Sequence, residues 1–178
     1  MTDGPSQRRF AALWQEHQGI VSKIAWVYAR SGEDRRELAQ DIGMQLWRSF
    51  AGFDARRAKF STWMYRVALN VAISWQRQSG WQGEGRLESL DARHLETIGG
   101  GADIVEPDAR LEALHAFIEQ LGRLDRALIV LYLEDRSHAD MADILGISKT
   151  NVATRIGRIK QKLREQLTDS TGACHGTR

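Results

Sequence analysis

Residues 137–167 read SHADMADILGISKTNVATRIGRIKQKLREQL, and the punctuation of this stretch puts two helix starts close together. Ser137 is placed to cap a short helix, His138–Leu145, which Gly146 would end, and Ser148 is placed to cap a longer one from Lys149 onward. Met141, Ile144 and Leu145 give the first helix an apolar stripe. Val152, Ile156, Ile159 and Leu163 give the second one, at spacings of three and four. Two helices joined by a turn containing glycine predict a helix-turn-helix, whose second helix enters the DNA major groove. From 149 to 166 that helix carries six cations (Lys149, Arg155, Arg158, Lys160, Lys162, Arg164) against one acid, Glu165, a net of +5. The bland alternative is a helical hairpin with a solvated basic face.

Immediately upstream, Leu111, Leu114, Phe117, Ile118 and Leu121 predict a helix over about 110–121. Residues 125–133 follow, rich in Leu128, Ile129, Leu131, Leu133 and Tyr132. These two helices supply the core against which the hairpin packs, giving a four-helix domain over 110–167. A tail over 168–178 is expected to be disordered.

The first half is helical as well. Phe10, Leu13, Trp14, His17, Val21, Ile24 and Tyr28 mark an amphipathic helix over about 7–30, with Gly19 a weak point inside it. A second helix over about 33–50 repeats Leu38, Ile42, Leu46 and Phe50 every four residues. Asp34, Glu37 and Asp41 gather on another of its faces. Glu37 and Asp34 suit a helix N-terminus, but Asp41 lies too far along for that, which points to an acidic face for a partner. A loop over 51–59 carries Arg56, Arg57 and Lys59. Ser61 then caps a third helix to about 78, with Met64, Val67, Ala68, Val71 and Trp75 as core. Trp63, Arg66, Asn70, Ile73 and Arg77 share the neighbouring face. From 53 to 77 the net charge is +4, interleaved with Phe60, Trp63, Tyr65 and Trp75. Cations track a nucleic-acid backbone while aromatic rings stack unpaired bases at about 1–3 kcal/mol each. Trp75 reads as core and Trp63 as the exposed ring.

Between the halves, 79–109 changes character. Gly80, Gly83, Gly85, Gly99, Gly100, Gly101 and Pro107 loosen it, and its net charge is −5. Its glycines follow no strand and open no helix, so they do not cradle a phosphate. About 30 flexible residues span roughly 30 Å on average and about 100 Å at full extension, so two modules tied this way can occupy separate sites on one DNA. The fold class is therefore all-α: a helical bundle over 7–78 and a four-helix helix-turn-helix domain over 110–167, joined by a flexible acidic linker.

The 178 residues carry a formal net charge of +2, so the distribution of charge says more than its total. Nothing approaches the run of about 18 apolar residues a membrane span needs, and the start MTDGPSQRRF has no signal-peptide core. The single cysteine, Cys174, forms no internal disulfide, and a reduced cytoplasmic setting is expected. The five histidines are scattered, no metal site is expected, and no cofactor is implied.

The two modules together resemble the extracytoplasmic-function (ECF) group of bacterial RNA polymerase sigma factors. The resemblance rests on DRRELAQDIGMQLWRSFAGFD (34–54) and FSTWMYRVALNVAISWQR (60–77) in the first module, and on LEDRSHADMADILGISKTNVATRIGRIKQKLRE (133–165) in the second. It implies that Asp34, Glu37, Asp41 and Trp47 dock on the clamp of core RNA polymerase. It implies that Arg56, Arg57, Lys59, Phe60, Trp63, Arg66, Asn70 and Arg77 bind and open the minus-ten promoter element, with Trp63 and Asn70 near a flipped base. The resemblance also implies that the linker threads towards the RNA exit channel. It implies, further, that Lys149, Thr150, Asn151, Thr154, Arg155, Arg158 and Lys162 read the minus-thirty-five element as duplex, Arg155 and Lys162 on phosphate, and that the domain contacts the polymerase flap. An anti-sigma factor or other regulator is an expected partner. Arg36 stands where the family's acidic motif usually has a further acid. Ser74 and Gln76 depart from its common residues, and Ala153 and Gly157 replace larger side chains. The alternative is a free-standing helix-turn-helix regulator, which needs no strand-opening surface. No nucleophile–base pair, metal cluster or phosphate loop supports an enzyme.

Overall fold

A computed structural model describes residues 4–78 and 109–172 of the chain. The linker reading and most of the tail reading, including Cys174, fall outside the described residues. Every element is helical among the described residues. Packing divides the chain into two compact units, with the division between His115 and Ala116.

The first unit is a three-helix bundle of α1 (Gly4–Tyr28), α2 (Gly32–Ser49) and α3 (Phe60–Gln78), each packed on the other two. A single 3-10 turn, Phe50–Gly52, follows α2. Gly19 does not divide α1; it is exposed, and the helix runs through it because Ile20, Val21, Ile24 and Ala25 are buried beyond it. Pro5 sits in the first turn, where its missing N–H costs no hydrogen bond. Ser31 caps α2, its Oγ accepting from the Asp34 N–H at 3.0 Å, and Glu33 and Asp34 in the first turn favour the helix dipole. Leu38, Ile42 and Leu46 are fully buried on one stripe. Gly43 lets α1 and α2 approach closely: a Cβ there would lie 3.3 Å from the Trp14 ring.

Two expectations for α3 are corrected. The helix begins at Phe60, so Ser61 lies inside it and is not its cap; the Trp63 N–H already bonds the Lys59 carbonyl at 3.1 Å. The buried residues are Phe60, Met64, Tyr65, Ala68, Leu69, Ala72 and Gln76, whereas Val67, Val71 and Trp75 are only half-buried. This helix is apolar over most of its circumference, so its own pattern does not choose a face. Contact with both α1 and α2 turns Tyr65, Leu69 and Ala72 inward.

The second unit builds on α5 (Arg123–Leu133), α6 (His138–Leu145) and α7 (Lys149–Gly172), together with the end of α4 (Ala109–Glu119). Ala127, Leu128, Leu131, Met141, Val152, Ile156 and Ile159 form its core. Arg126 is also buried, and its Nη2 donates to the carbonyls of Glu119 at 2.8 Å and Leu121 at 3.3 Å, which satisfies the open end of α4. Leu133 and Tyr132, expected in the core, are exposed because α5 ends there and the chain turns away through Asp135, at φ 53°. Helix α7 is described as far as Gly172, past the end expected at 167: residues 168–171 include no proline or glycine to break it.

Candidate nucleic-acid interface

The hairpin forms as the capping residues predict. Ser137 and Asp140 make a reciprocal capping box at the start of α6, and Gly146 ends it in the left-handed region at φ 68°. Ser148 Oγ accepts from the Asn151 N–H at 3.2 Å and starts α7. Val152, Ile156 and Ile159 bury the inner stripe of α7. The outer stripe leaves Lys149, Thr150, Asn151, Thr154, Arg158 and Lys162 exposed. The Thr154 hydroxyl donates to the Thr150 carbonyl at 2.9 Å, so its oxygen faces outward as an acceptor. Arg155 departs from the set. It is half-buried and ion-paired with Asp125 of α5 at 2.7 Å, a partner thirty residues away. Lys160, which the sequence reading gave no role, lies 4.3 Å from the Tyr132 ring centre, a cation–π contact that covers an exposed ring.

In the first unit the loop after α2 is organised by Asp54. Its carboxylate accepts from the Arg56 N–H at 3.0 Å, from Arg56 Nε at 3.0 Å and from Arg56 Nη2 at 2.8 Å, with Arg57 Nε 3.9 Å away. The Arg56 side-chain and backbone bonds hold the Asp54 carboxyl below its ordinary range, and Asp54 in turn raises the Arg56 guanidinium. Arg56, Arg57 and Lys59 are exposed. Behind them stands a cluster of rings. Phe53, Phe60 and Trp63 lie 5.2–5.4 Å apart between centres, and Phe50 joins at 6.1–6.3 Å. Phe60 is buried and stacks on His17 at 5.4 Å, so it supports the cluster from within. Trp63 is half-buried, with one side packed on this cluster, and Arg66, Asn70 and Arg77 are exposed along its helix face. Sequence reasoning missed Arg9, whose guanidinium carbon lies 5.9 Å from the Phe50 ring centre and 6.0 Å from that of Phe53. The paired arginines at 8 and 9 were its only local signal.

On α2, Glu37 is exposed, Asp34 and Asp41 are half-buried, and Trp47 is half-buried with its ring 5.0 Å from Phe10. The two arginines of the acidic segment have opposite fates. Arg35 is buried, its Nε donating to the Ala29 carbonyl at 3.2 Å, while Arg36 is exposed beside the acids. An open groove between α2 and α3 brings Asp41 and Asn70 together with Met44, Arg48, Val71 and Trp75. Among the described residues no cluster of histidine, cysteine and carboxylates is arranged to hold a metal, and no helix is long and apolar enough to cross a membrane.

Comparison with known proteins matches these units to two family models: Sigma-70 region 2 over residues 13–82 and Sigma-70, region 4 over residues 111–163. The RNA polymerase sigma factor CnrH of Cupriavidus metallidurans is 30% identical over 167 residues, covering 89% of this chain and 86% of CnrH. The ECF RNA polymerase sigma factor SigW of Bacillus subtilis is 28% identical over 176 residues, covering 92% of this chain and 91% of SigW. Among solved structures, CnrH in complex with the cytosolic domain of CnrY shares the fold with a TM-score of 0.67 at 23% identity, over 92% of this chain and 90% of that one. The sigma factor RpoE in complex with the anti-sigma factor NepR, from Bartonella quintana, has a TM-score of 0.68 at 17% identity, over 90% of this chain and 98% of that one.

Proposed function

The chain belongs to the sigma-70 family of RNA polymerase sigma factors, in its ECF group, and from that premise we propose how its surfaces divide the work of initiation. It directs core RNA polymerase to promoters. The unit over 7–78 is the polymerase-binding and minus-ten module, and that over 110–167 is the minus-thirty-five module, with 79–109 as linker. Asp34, Glu37, Asp41 and Trp47 dock on the polymerase clamp. Arg56, Arg57, Lys59, Arg66 and Arg77 follow the opened strand while Trp63 and Asn70 receive an unstacked base. The observation that carries this reading is Trp63, half-buried on an aromatic platform and flanked by exposed cations and Asn70. A duplex reader has no use for such a platform, whereas a base leaving its stack needs a ring to meet it.

Lys149, Thr150, Asn151, Thr154, Arg158 and Lys162 face the major groove of the upstream element. The protein works in the cytoplasm beside core polymerase, as a non-catalytic subunit. An anti-sigma factor is the regulatory partner, a proposal supported by the complex in which its Bartonella quintana neighbour was solved. Run-off transcription with core polymerase, followed by mapping of transcript starts, tests the whole. Starts at a fixed distance from two shared sequence elements are expected. Tight binding of promoter duplex by the protein alone, with no core-dependent starts, would refute it. Arg158→Ala should relax preference at one upstream position by about 1–3 kcal/mol, while uniform loss across sequences makes Arg158 a phosphate contact.

A further inference from the structure

We propose that Asp125, acting through Arg155, sets the base that Asn151 reads: it fixes which end of the Asn151 amide accepts and which donates, and so favours adenine at one position of the upstream element. The inference rests on the reading above, in which α7 lies in the major groove of duplex DNA. Asp125 stands in the first turn of α5, and Arg155 lies on α7. Arg155 Nη1 donates to Asp125 Oδ1 at 2.7 Å, with the two side chains 36% and 25% exposed. The same guanidinium donates from Nε to Asn151 Oδ1 at 3.1 Å.

A guanidinium offers donors and no acceptor, so the end of the amide that faces it has to be the oxygen. Asn151 is the third residue of α7 and is exposed, at the end of a recognition helix that meets base edges. Its Nδ2 hydrogens then point away from Arg155. Asparagine reads adenine with both ends of its amide, accepting from N6 and donating to N7. Oδ1 has two lone pairs: Arg155 Nε takes one, and the other still accepts from N6 of adenine while Nδ2 donates to N7, so the relay fixes the acceptor and donor ends that this pairing needs. The pair with Asp125 also keeps Arg155 inside the domain, away from the phosphate that its charge and helix position suggest. Asp125 and Arg155 are positioning residues: they touch Asn151 or each other, and Asn151 touches the base.

Reconstituted holoenzyme, measured at several salt concentrations on promoters carrying each base at every upstream position, tests this. The wild type should prefer adenine at the position that Asn151→Ala relaxes. Asp125→Ala should weaken that preference about two- to tenfold, the worth of one net hydrogen bond. It should also steepen the salt dependence by about one released ion, as Arg155 reaches a phosphate. Arg155→Gln cuts the relay from the other side and should weaken the same preference without the steeper salt dependence, which a merely misfolded domain would not reproduce. A guanine preference at the Asn151 position, or loss spread evenly over all upstream positions, overturns the proposal. A wild type without any upstream base preference overturns the helix-turn-helix reading itself. A wild-type preference that neither Asp125→Ala nor Arg155→Gln alters overturns only the relay.

Discussion

Replacing Gly157 with alanine separates two reasons for a glycine in the middle of α7. Gly157 is exposed, its backbone is not in the left-handed range, and a Cβ built there meets nothing within 4 Å. Packing inside the chain therefore does not require it. A helix-interior glycine costs about 0.8–1.0 kcal/mol relative to alanine, and here no clash subtracts from the gain. Gly157→Ala should stabilise the second unit by about 1 kcal/mol, or about 4–8 °C in Tm for a unit of this size. The assay is built into the sequence: all six tryptophans lie at or before residue 81. Tryptophan fluorescence thus follows the first unit, while far-UV circular dichroism sees both. The expected result is a shifted transition in circular dichroism with the tryptophan transition unmoved. Gly19→Ala, in an equally open helical position of α1, should do the reverse and move the tryptophan transition. Gly157 adjoins Arg158 and lies three residues from Thr154 on the outer stripe, so the added methyl group should also weaken upstream-element binding if the DNA backbone passes close to the helix there. A fall in stability would refute the propensity argument. A gain in stability with unaltered DNA binding would refute close approach as the reason for the glycine.

Three further perturbations probe the first unit. Arg35→Ala removes a buried charged donor to the Ala29 carbonyl and should lower stability by about 1.5–3 kcal/mol, whereas Arg36→Glu, one residue away and exposed, should leave Tm unchanged and raise core-polymerase affinity. Equal effects of the two on Tm, measured by tryptophan fluorescence, would contradict the opposite placement of these arginines. Trp63→Ala should impair promoter opening, read with a fluorescent base in the minus-ten element, more than closed-complex formation. Removing the indole from its stacking partners Phe53 and Phe60 should also lower stability by about 0.5–1.5 kcal/mol per aromatic pair, and equal impairment of both steps would return Trp63 to a purely structural role. The Asp54 carboxyl is depressed in the folded chain, so its hold on Arg56 is complete at neutral pH and is lost only as pH falls through a value below the ordinary 3.8. An NMR titration of Asp54 should find that midpoint below 3.8 in the native chain and moved upward, yet still below 3.8, after Arg56→Ala, because the backbone N–H at position 56 remains a partner; a native midpoint at or above 3.8 would contradict the loop geometry.

Local signals carried most of the helices and all of the hairpin. Ser137, Gly146 and Ser148 act on residues within four positions of themselves, so their capping was legible from spacing alone, whereas the cap that Ser31 provides for α2 was missed. The single-sided stripes of α2 and α7 were legible for the same reason: only one face of each helix is apolar enough to bury. The face of α3 was not, because it offers apolar residues nearly all round and its neighbours decide which are covered. Leu133 and Tyr132 were assigned to the core by composition, but burial depends on where α5 ends relative to its packing partners.

By itself, then, the sequence determined the all-α class, the helix-turn-helix and the charge of each surface, since periodicity, capping and charge are properties of short stretches. Tertiary structure alone decided which charges remain for a partner. It turned Arg35 inward and left Arg36 outside, and it stacked Phe53, Phe60 and Trp63 into one platform. It also joined Asp125 to Arg155 across thirty residues of chain. An ion pair or a ring contact between helices depends on distances in space that spacing along the chain does not encode.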